Sequence, residues 1–165
     1  MRRHLPIRLP WEELPEPALG ALERVLRSWE GTPYVAGQAC KGVGVDCVRF
    51  ILEVLRELEG WPSIPLVEIP QDASMHNREG SMAAFKKIIQ ALEPIQRVSS
   101  VQPGDILVIG PAQGGPGHGL IVGPRKNTLY HAAPSGVSMT GLGMIPGYKI
   151  FGVYRKGSKS LWGVA

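Results

Sequence analysis

Apolar residues in the first third of the chain recur at helical spacing. Leu19, Leu22, Val25, Leu26 and Trp29 share one face, which predicts a helix from about Pro17 to Trp29, closed by Gly31 and Pro33. An irregular lead-in, residues 1–16, precedes it. Between Gly31 and Val45 the chain is rich in glycine, the signature of a turn-rich loop that brings backbone close to a ligand. A second apolar run follows: Cys47, Val48, Phe50, Ile51, Val54, Leu55 and Leu58 cover a face broad enough for a buried helix, and Asp46 stands where an N-cap belongs. Gly60 and Pro62 end it. Residues 61–78 read as a proline-rich surface segment, and Ser81 to Leu92 as a further amphipathic helix through Met82, Phe85, Ile88 and Ile89.

Beyond Pro103-Gly104 the period shortens. Asp105 to Ile109, His118 to Val122, Thr128 to His131 and Tyr148 to Tyr154 are short β-type runs separated by glycine and proline. Helices first and strands afterwards predict an α+β fold, with the N-terminal helices packed on a C-terminal antiparallel sheet. No repeat or linker divides the 165 residues, so a single domain is expected, with residues 155–165 as a tail.

Composition narrows the function classes. With 44% hydrophobic and 19% charged residues the chain is not mainly disordered. No run of 18 apolar residues occurs, so no membrane span is expected. The start carries Arg2, Arg3 and Arg8 but is broken by Pro6 and Pro10, and no secretory signal peptide is expected. A net charge of +4 would suit a polyanion, yet the basic residues are scattered except near Arg155, Lys156 and Lys159, and no aromatic-interleaved stripe accompanies them. They read as a solvated surface, and no nucleic-acid partner is expected.

Two cysteines, Cys40 and Cys47, are too few for a disulfide framework. Cys47 would open the second helix, where unpaired N–H groups and the helix dipole favour a thiolate and can hold an oxyanion. The plainer alternative is a core thiol at the head of an apolar helix. The four histidines help decide. His4 and His76 carry no pattern, whereas His118 and His131 sit at the edges of neighbouring predicted strands. On that reading His118 is the base for Cys47, and His131 orients it through the other ring nitrogen. Zinc bound by Cys40, Cys47, His118 and His131 is a further alternative, but no short Cys-x-x-Cys or His-x-x-x-His spacing supports it. Neither glycine run is followed by the Lys-Ser/Thr pair of a phosphate loop. No metal and no cofactor is expected.

Several fragments together carry a resemblance. Trp29-Glu30-Gly31-Thr32-Pro33-Tyr34, then Gly42-Val43-Gly44-Val45-Asp46-Cys47, Pro103-Gly104-Asp105-Ile106, Gly117 to Gly123 and Tyr130-His131-Ala132 resemble the NlpC/P60 cysteine peptidases in order and spacing. The resemblance implies a papain-like fold and hydrolysis of amide bonds in peptidoglycan stem peptides, with Cys47 as nucleophile, His118 as base and His131 as orienting residue. It also implies substrate-binding roles for Tyr34, which would line the site, and Asp46, which in some members receives a free amino group. Arg49 departs from the pattern, which usually has Ser or Leu and then Gly after the cysteine. One turn into the helix, it would narrow the cleft or help hold the thiolate.

The run from Lys41 to Cys47 looks most like the phage-tail and gene-transfer-agent branch. That implies phage tail-tip proteins as partners and a place in the virion tail, or in the cytoplasm before assembly, with action at the bacterial cell wall. Two other functions fit the same residues. One is a non-catalytic structural tail-tip component that keeps the fold; the other is a thiol acyltransferase, since an amine or alcohol can resolve an acyl-enzyme as water does.

Overall fold

The computed structural model describes residues 9–59, 95–111, 113, 117–141 and 147–156. The segment expected to be irregular over 61–78 and the helix expected over 81–92 lie outside them, as do His4 and His76.

Helix α1 (Ala18–Trp29) buries Ala18, Leu22, Leu26 and Trp29, the i, i+4, i+8, i+11 stripe of a one-sided helix. Pro17 offers no side-chain cap, and the Glu16 carboxylate accepts the Gly20 N–H instead, at 3.2 Å. After α1 the chain turns through Gly31, whose φ is +80°. The Gly31 N–H then donates to Val137 O at 2.9 Å, and the Val137 N–H to Thr32 O at 2.9 Å, tying the helix exit to the sheet.

The loop expected over 31–45 is a compact hairpin. Strands β1 (Ala39–Cys40) and β2 (Gly44–Val45) pair antiparallel, and Tyr34 bridges Val45. A Cβ at Gly44 would stand 2.8 Å from Val35 Cβ and 2.5 Å from Gln38 Oε1, so only glycine lets the hairpin fold back this closely. The hairpin delivers the chain to Asp46 and helix α2 (Cys47–Glu59), whose Cys47, Val48, Phe50, Ile51, Val54 and Leu55 are all buried. α2 packs against α1 and against the sheet strands β5 and β6.

That sheet is antiparallel and six-stranded, in the order β3-β8-β4-β5-β6-β7. Its strands are β3 (Ile95–Arg97), β4 (Ile106–Pro111), β5 (His118–Val122), β6 (Leu129–Ala133), β7 (Gly136–Thr140) and β8 (Tyr148–Lys156). β4 is central, pairing Ile106 with Ile121 on one side and with Tyr154 on the other. Both faces are covered. Ile106, Val108, Ile121, Tyr130 and Ala132 join the helices in one cluster; Leu107, Ile109, Leu120, Val122, Leu129 and Val153 form a second with Val101. This is why the strands read as near-continuous apolar runs instead of alternating ones.

The structure thus has the expected α+β architecture, with differences in detail. β8 reaches Lys156, so Arg155 and Lys156, expected in a tail, are strand residues. Nor is Arg155 a solvated surface charge: its guanidinium pairs with Asp105. β3 and β7 were not anticipated. The β7 sequence Gly136-Val137-Ser138-Met139-Thr140 has few apolar residues because it forms the sheet edge, where Met139 is 52% exposed.

Candidate active site

The site is assembled where α2 meets β5 and β6. Asp46 ends the hairpin, and its Oδ1 accepts the Arg49 N–H at 2.8 Å, an N-cap bond that fixes Cys47 as the first helical residue. The Cys47 sulfur then lies beside backbone N–H groups of Cys47 and Val48 at the helix terminus and of Gly119 in β5.

The Gly119 contact follows from the sheet. The ladder between β5 and β6 consists of Val122↔Leu129 and Ile121↔Tyr130 and goes no further. Two residues past the end of that ladder, the Gly119 backbone N–H acts on the Cys47 sulfur and favours its charged form. At the same end of the ladder His118 Nε2 and His131 Nδ1 are 2.9 Å apart, with their rings edge to face at 65°. One proton between those two nitrogens makes a hydrogen bond, so one ring donates and the other accepts. His118 Nδ1 is buried and has no hydrogen-bond partner among the described residues.

Cys47 is thus tied to the backbone of Gly119, next to His118, and among the described residues no thiol–imidazole hydrogen bond forms. Along β5, His118 has the strand parity of Leu120 and Val122 in the second cluster. Gly119 has the parity of Ile121, which packs with the helices.

Electrostatics differ from the expected thiolate. Burial first, and then the adjacent Asp46 carboxylate, push the Cys47 thiol up to about 12 from an ordinary 9.0, against the three backbone N–H groups that lower it. Burial, then the neighbouring His131, push His118 down to about 3, and burial lowers His131 as well. The helix terminus acts in the direction foreseen, but full burial of Cys47 outweighs it. At neutral pH the thiol and both imidazoles are uncharged.

The other expected residues are placed as follows. Tyr34 is partly buried against the cluster that holds Cys47, with its hydroxyl inside. The Asp46 carboxylate is fully buried and engaged: besides the cap bond, Oδ2 accepts the Gly37 N–H at 2.8 Å and the Arg49 Nη1. Arg49, with its side chain 3% exposed, points into this ion pair. Cys40 is exposed in β1. Among the described residues no three His, Cys, Asp or Glu side chains converge as metal ligands would.

Gly119 was not singled out from the sequence, nor was the pairing of the two candidates Asp46 and Arg49. Gly119 had one available signal, a glycine directly after the candidate base. The i, i+3 spacing of Asp46 and Arg49 was readable as a helical ion pair.

A buried cysteine at a helix N-terminus, docked on an antiparallel sheet that carries two histidines, defines a papain-like α+β fold. Solved structures that share this fold include NlpC/P60 domains. The NlpC/p60 domain of the peptidoglycan hydrolase SagA superposes with a TM-score of 0.54 at 22% identity, covering 83% of this chain and 97% of that domain. A lipoprotein-like member of the NLP/P60 family from Staphylococcus aureus gives a TM-score of 0.54 at 19% identity. There the alignment covers 87% of this chain and 43% of the other, so the chain spans less than half of that protein. No protein-family model and no curated protein matches the chain.

Proposed function

We propose that this protein is a cysteine peptidase that hydrolyses amide bonds in peptidoglycan stem peptides, acting as one domain. The supporting observation is the Cys47 sulfur at a helix N-terminus, contacted by the N–H of the residue after His118, while the His118 ring keeps Nδ1 unpartnered. Both SagA and the S. aureus protein carry the NlpC/P60 fold, and SagA is described as a peptidoglycan hydrolase.

In this reading the start of β5 rotates on substrate binding to bring His118 Nδ1 to the thiol, because His118 shares the strand face of Leu120 and Val122 and not that of Ile121, which packs with Cys47. His131 holds Nε2, so only Nδ1 can take the proton as sulfur attacks the amide carbonyl. Proton transfer between two neutral groups creates both charges together, and their attraction offsets part of the cost of charging a buried site. N–H groups at the α2 terminus face the developing oxyanion. His118 then returns the proton to the leaving amine, and water releases the acyl group from sulfur. Tyr34 lines the cleft.

The resemblance of Lys41 to Cys47 to the phage-tail branch extends the proposal: the domain rides on a tail tip beside other tail proteins and acts at the bacterial wall. A second reading, a non-catalytic tail component, draws on the burial of Cys47 and His118 and on their missing hydrogen bond. Digestion of purified peptidoglycan by wild type and Cys47→Ala, with fragments identified by mass spectrometry, separates the two. Stem-peptide fragments from the wild type alone are expected; none from either, across several wall types, would favour the structural role. Transfer products in place of hydrolysed ones would mark an acyltransferase.

A further inference from the structure

Arg49 is the least expected residue near Cys47: a guanidinium buried in the first turn of an apolar helix, its side chain only 3% exposed. Such a group persists only when its charge is matched. Its match is Asp46, the residue immediately before the nucleophile, whose side chain is 0% exposed. The carboxylate is held from three directions, by the Arg49 N–H at 2.8 Å, the Gly37 N–H at 2.8 Å and the Arg49 guanidinium. It cannot swing away from Cys47.

We propose that Arg49 is a positioning residue that works through Asp46: it offsets, beside the nucleophile, the negative charge of the carboxylate that caps α2. The inference rests on the reading of Cys47 as nucleophile, but its test does not need turnover. An N-cap aspartate orders the helix start, yet its charge opposes formation of a thiolate next door, and the burial pushing the Cys47 thiol up acts in the same direction. Arg49 keeps the cap and reduces its electrostatic penalty. A serine or asparagine cap would achieve neutrality without the guanidinium, but without the ion pair that fastens the hairpin at Gly37 to the helix.

Among the described residues the charged group that bears directly on the Cys47 thiol is the Asp46 carboxylate, which Arg49 pairs with, while His118 of β5 and His131 of β6 bond to each other. Neither histidine is charged at neutral pH, so Asp46 and Arg49 are the charged pair whose balance is tested.

The experiment titrates Cys47 by the carbon-13 shift of its Cβ, in a Cys40→Ser background so that one thiol reports. Arg49→Gln is expected to raise the midpoint by about one pH unit or more. Arg49→Lys, which keeps the charge, is expected to stay near wild type. Asp46→Asn combined with Arg49→Gln, which removes both charges, is expected at or below wild type. An unchanged midpoint in folded Arg49→Gln would overturn the proposal and leave Arg49 a purely structural residue. Should Arg49→Gln fail to fold, the double variant decides: a midpoint above wild type would mean Arg49 acts directly on sulfur, not through Asp46. If peptidoglycan digestion fails while these shifts appear, the peptidase reading is wrong and the electrostatic role of Arg49 stands.

Discussion

Among the described residues two aspartate–arginine pairs stand out, and they differ in nearly every respect. Asp46 and Arg49 lie three residues apart on one helix end, with side chains 0% and 3% exposed. Asp105 and Arg155 lie fifty apart and join the start of β4 to the end of β8 through two parallel bonds, Nε to Oδ1 at 2.9 Å and Nη2 to Oδ2 at 2.8 Å. Asp105 also accepts the Gln102 N–H at 2.9 Å, and Arg155 reaches Glu12 at 2.9 Å, with its side chain 15% exposed. Burial raises the Asp105 pKa although Arg155 pulls it down, while hydrogen bonding to Asp105 raises that of Arg155. The two directions disagree about the pair, and the bidentate geometry favours an ionised one. The long-range pair fastens sheet strands and has water and Glu12 in reserve. The local pair has little access to water, and its charge bears on a nucleophile.

The largest difference should appear when each acid is removed. Asp46→Ala removes the carboxylate paired with a buried guanidinium and deletes the α2 cap, and a loss of about 3–5 kcal/mol is expected. Asp105→Ala leaves Arg155 with Glu12 and solvent, so about 1.5–3 kcal/mol is expected, the range for hydrogen bonds to charged groups. Urea denaturation of both variants measures the contrast, and equal losses would break it.

Sequence pattern revealed this contrast unevenly. α1, α2 and β5 were legible because their apolar periods are strong and Gly31, Asp46 and Gly117 punctuate them. Cys47 and His118 stood out as scarce residue types at the starts of α2 and β5, and His131 as a scarce type that lies mid-strand in β6. β7 was hidden because an edge strand needs only one covered flank, and Val137 alone of its five residues is a buried apolar side chain. The role of Arg155 was hidden because a partner fifty residues away leaves no local trace. The state of the thiol was hidden for a different reason. A helix terminus can be read from sequence, but the burial that outweighs it is a property of packing.

The charge balance around the site should also appear in stability against pH. His118 is held down to about 3 when folded and titrates near 6.5 when unfolded, so below 6.5 the unfolded chain binds the extra proton. Stability from this group is complete above pH 6.5 and is lost as pH falls toward 3, by about 1.4 kcal/mol per pH unit. His131, lowered in the same direction, steepens the loss. Cys47 acts with the opposite sign: its folded value is raised, so its contribution is complete below 9.0 and fades as pH rises toward 12. Denaturation midpoints should therefore peak between the two windows, and His118→Gln should flatten the acid side. An unaltered acid slope in that variant would mean that His118 is not the buried neutral base described above.

The smallest expected effect is the sharpest probe of whether the two pairs are independent. Arg155→Lys keeps the positive charge beside Asp105 but replaces a planar fork with a single point of contact. One of the two parallel bonds is lost, and Lys can satisfy Asp105 or Glu12 but not both in the present geometry. A loss of about 0.5–1.5 kcal/mol is expected in urea denaturation, as for one intramolecular hydrogen bond. The Cys47 titration midpoint should not move, because the ion pairs of Arg155 are with Asp105 and Glu12 and not with the Asp46 carboxylate that bears on the thiol. If it does move, strain at the β4–β8 seam reaches Cys47, and Gly119 offers the route, since β4 pairs Val108 with Gly119 and with Gly152 of β8. The clamp in the sheet and the charge beside the nucleophile would then belong to one mechanical unit.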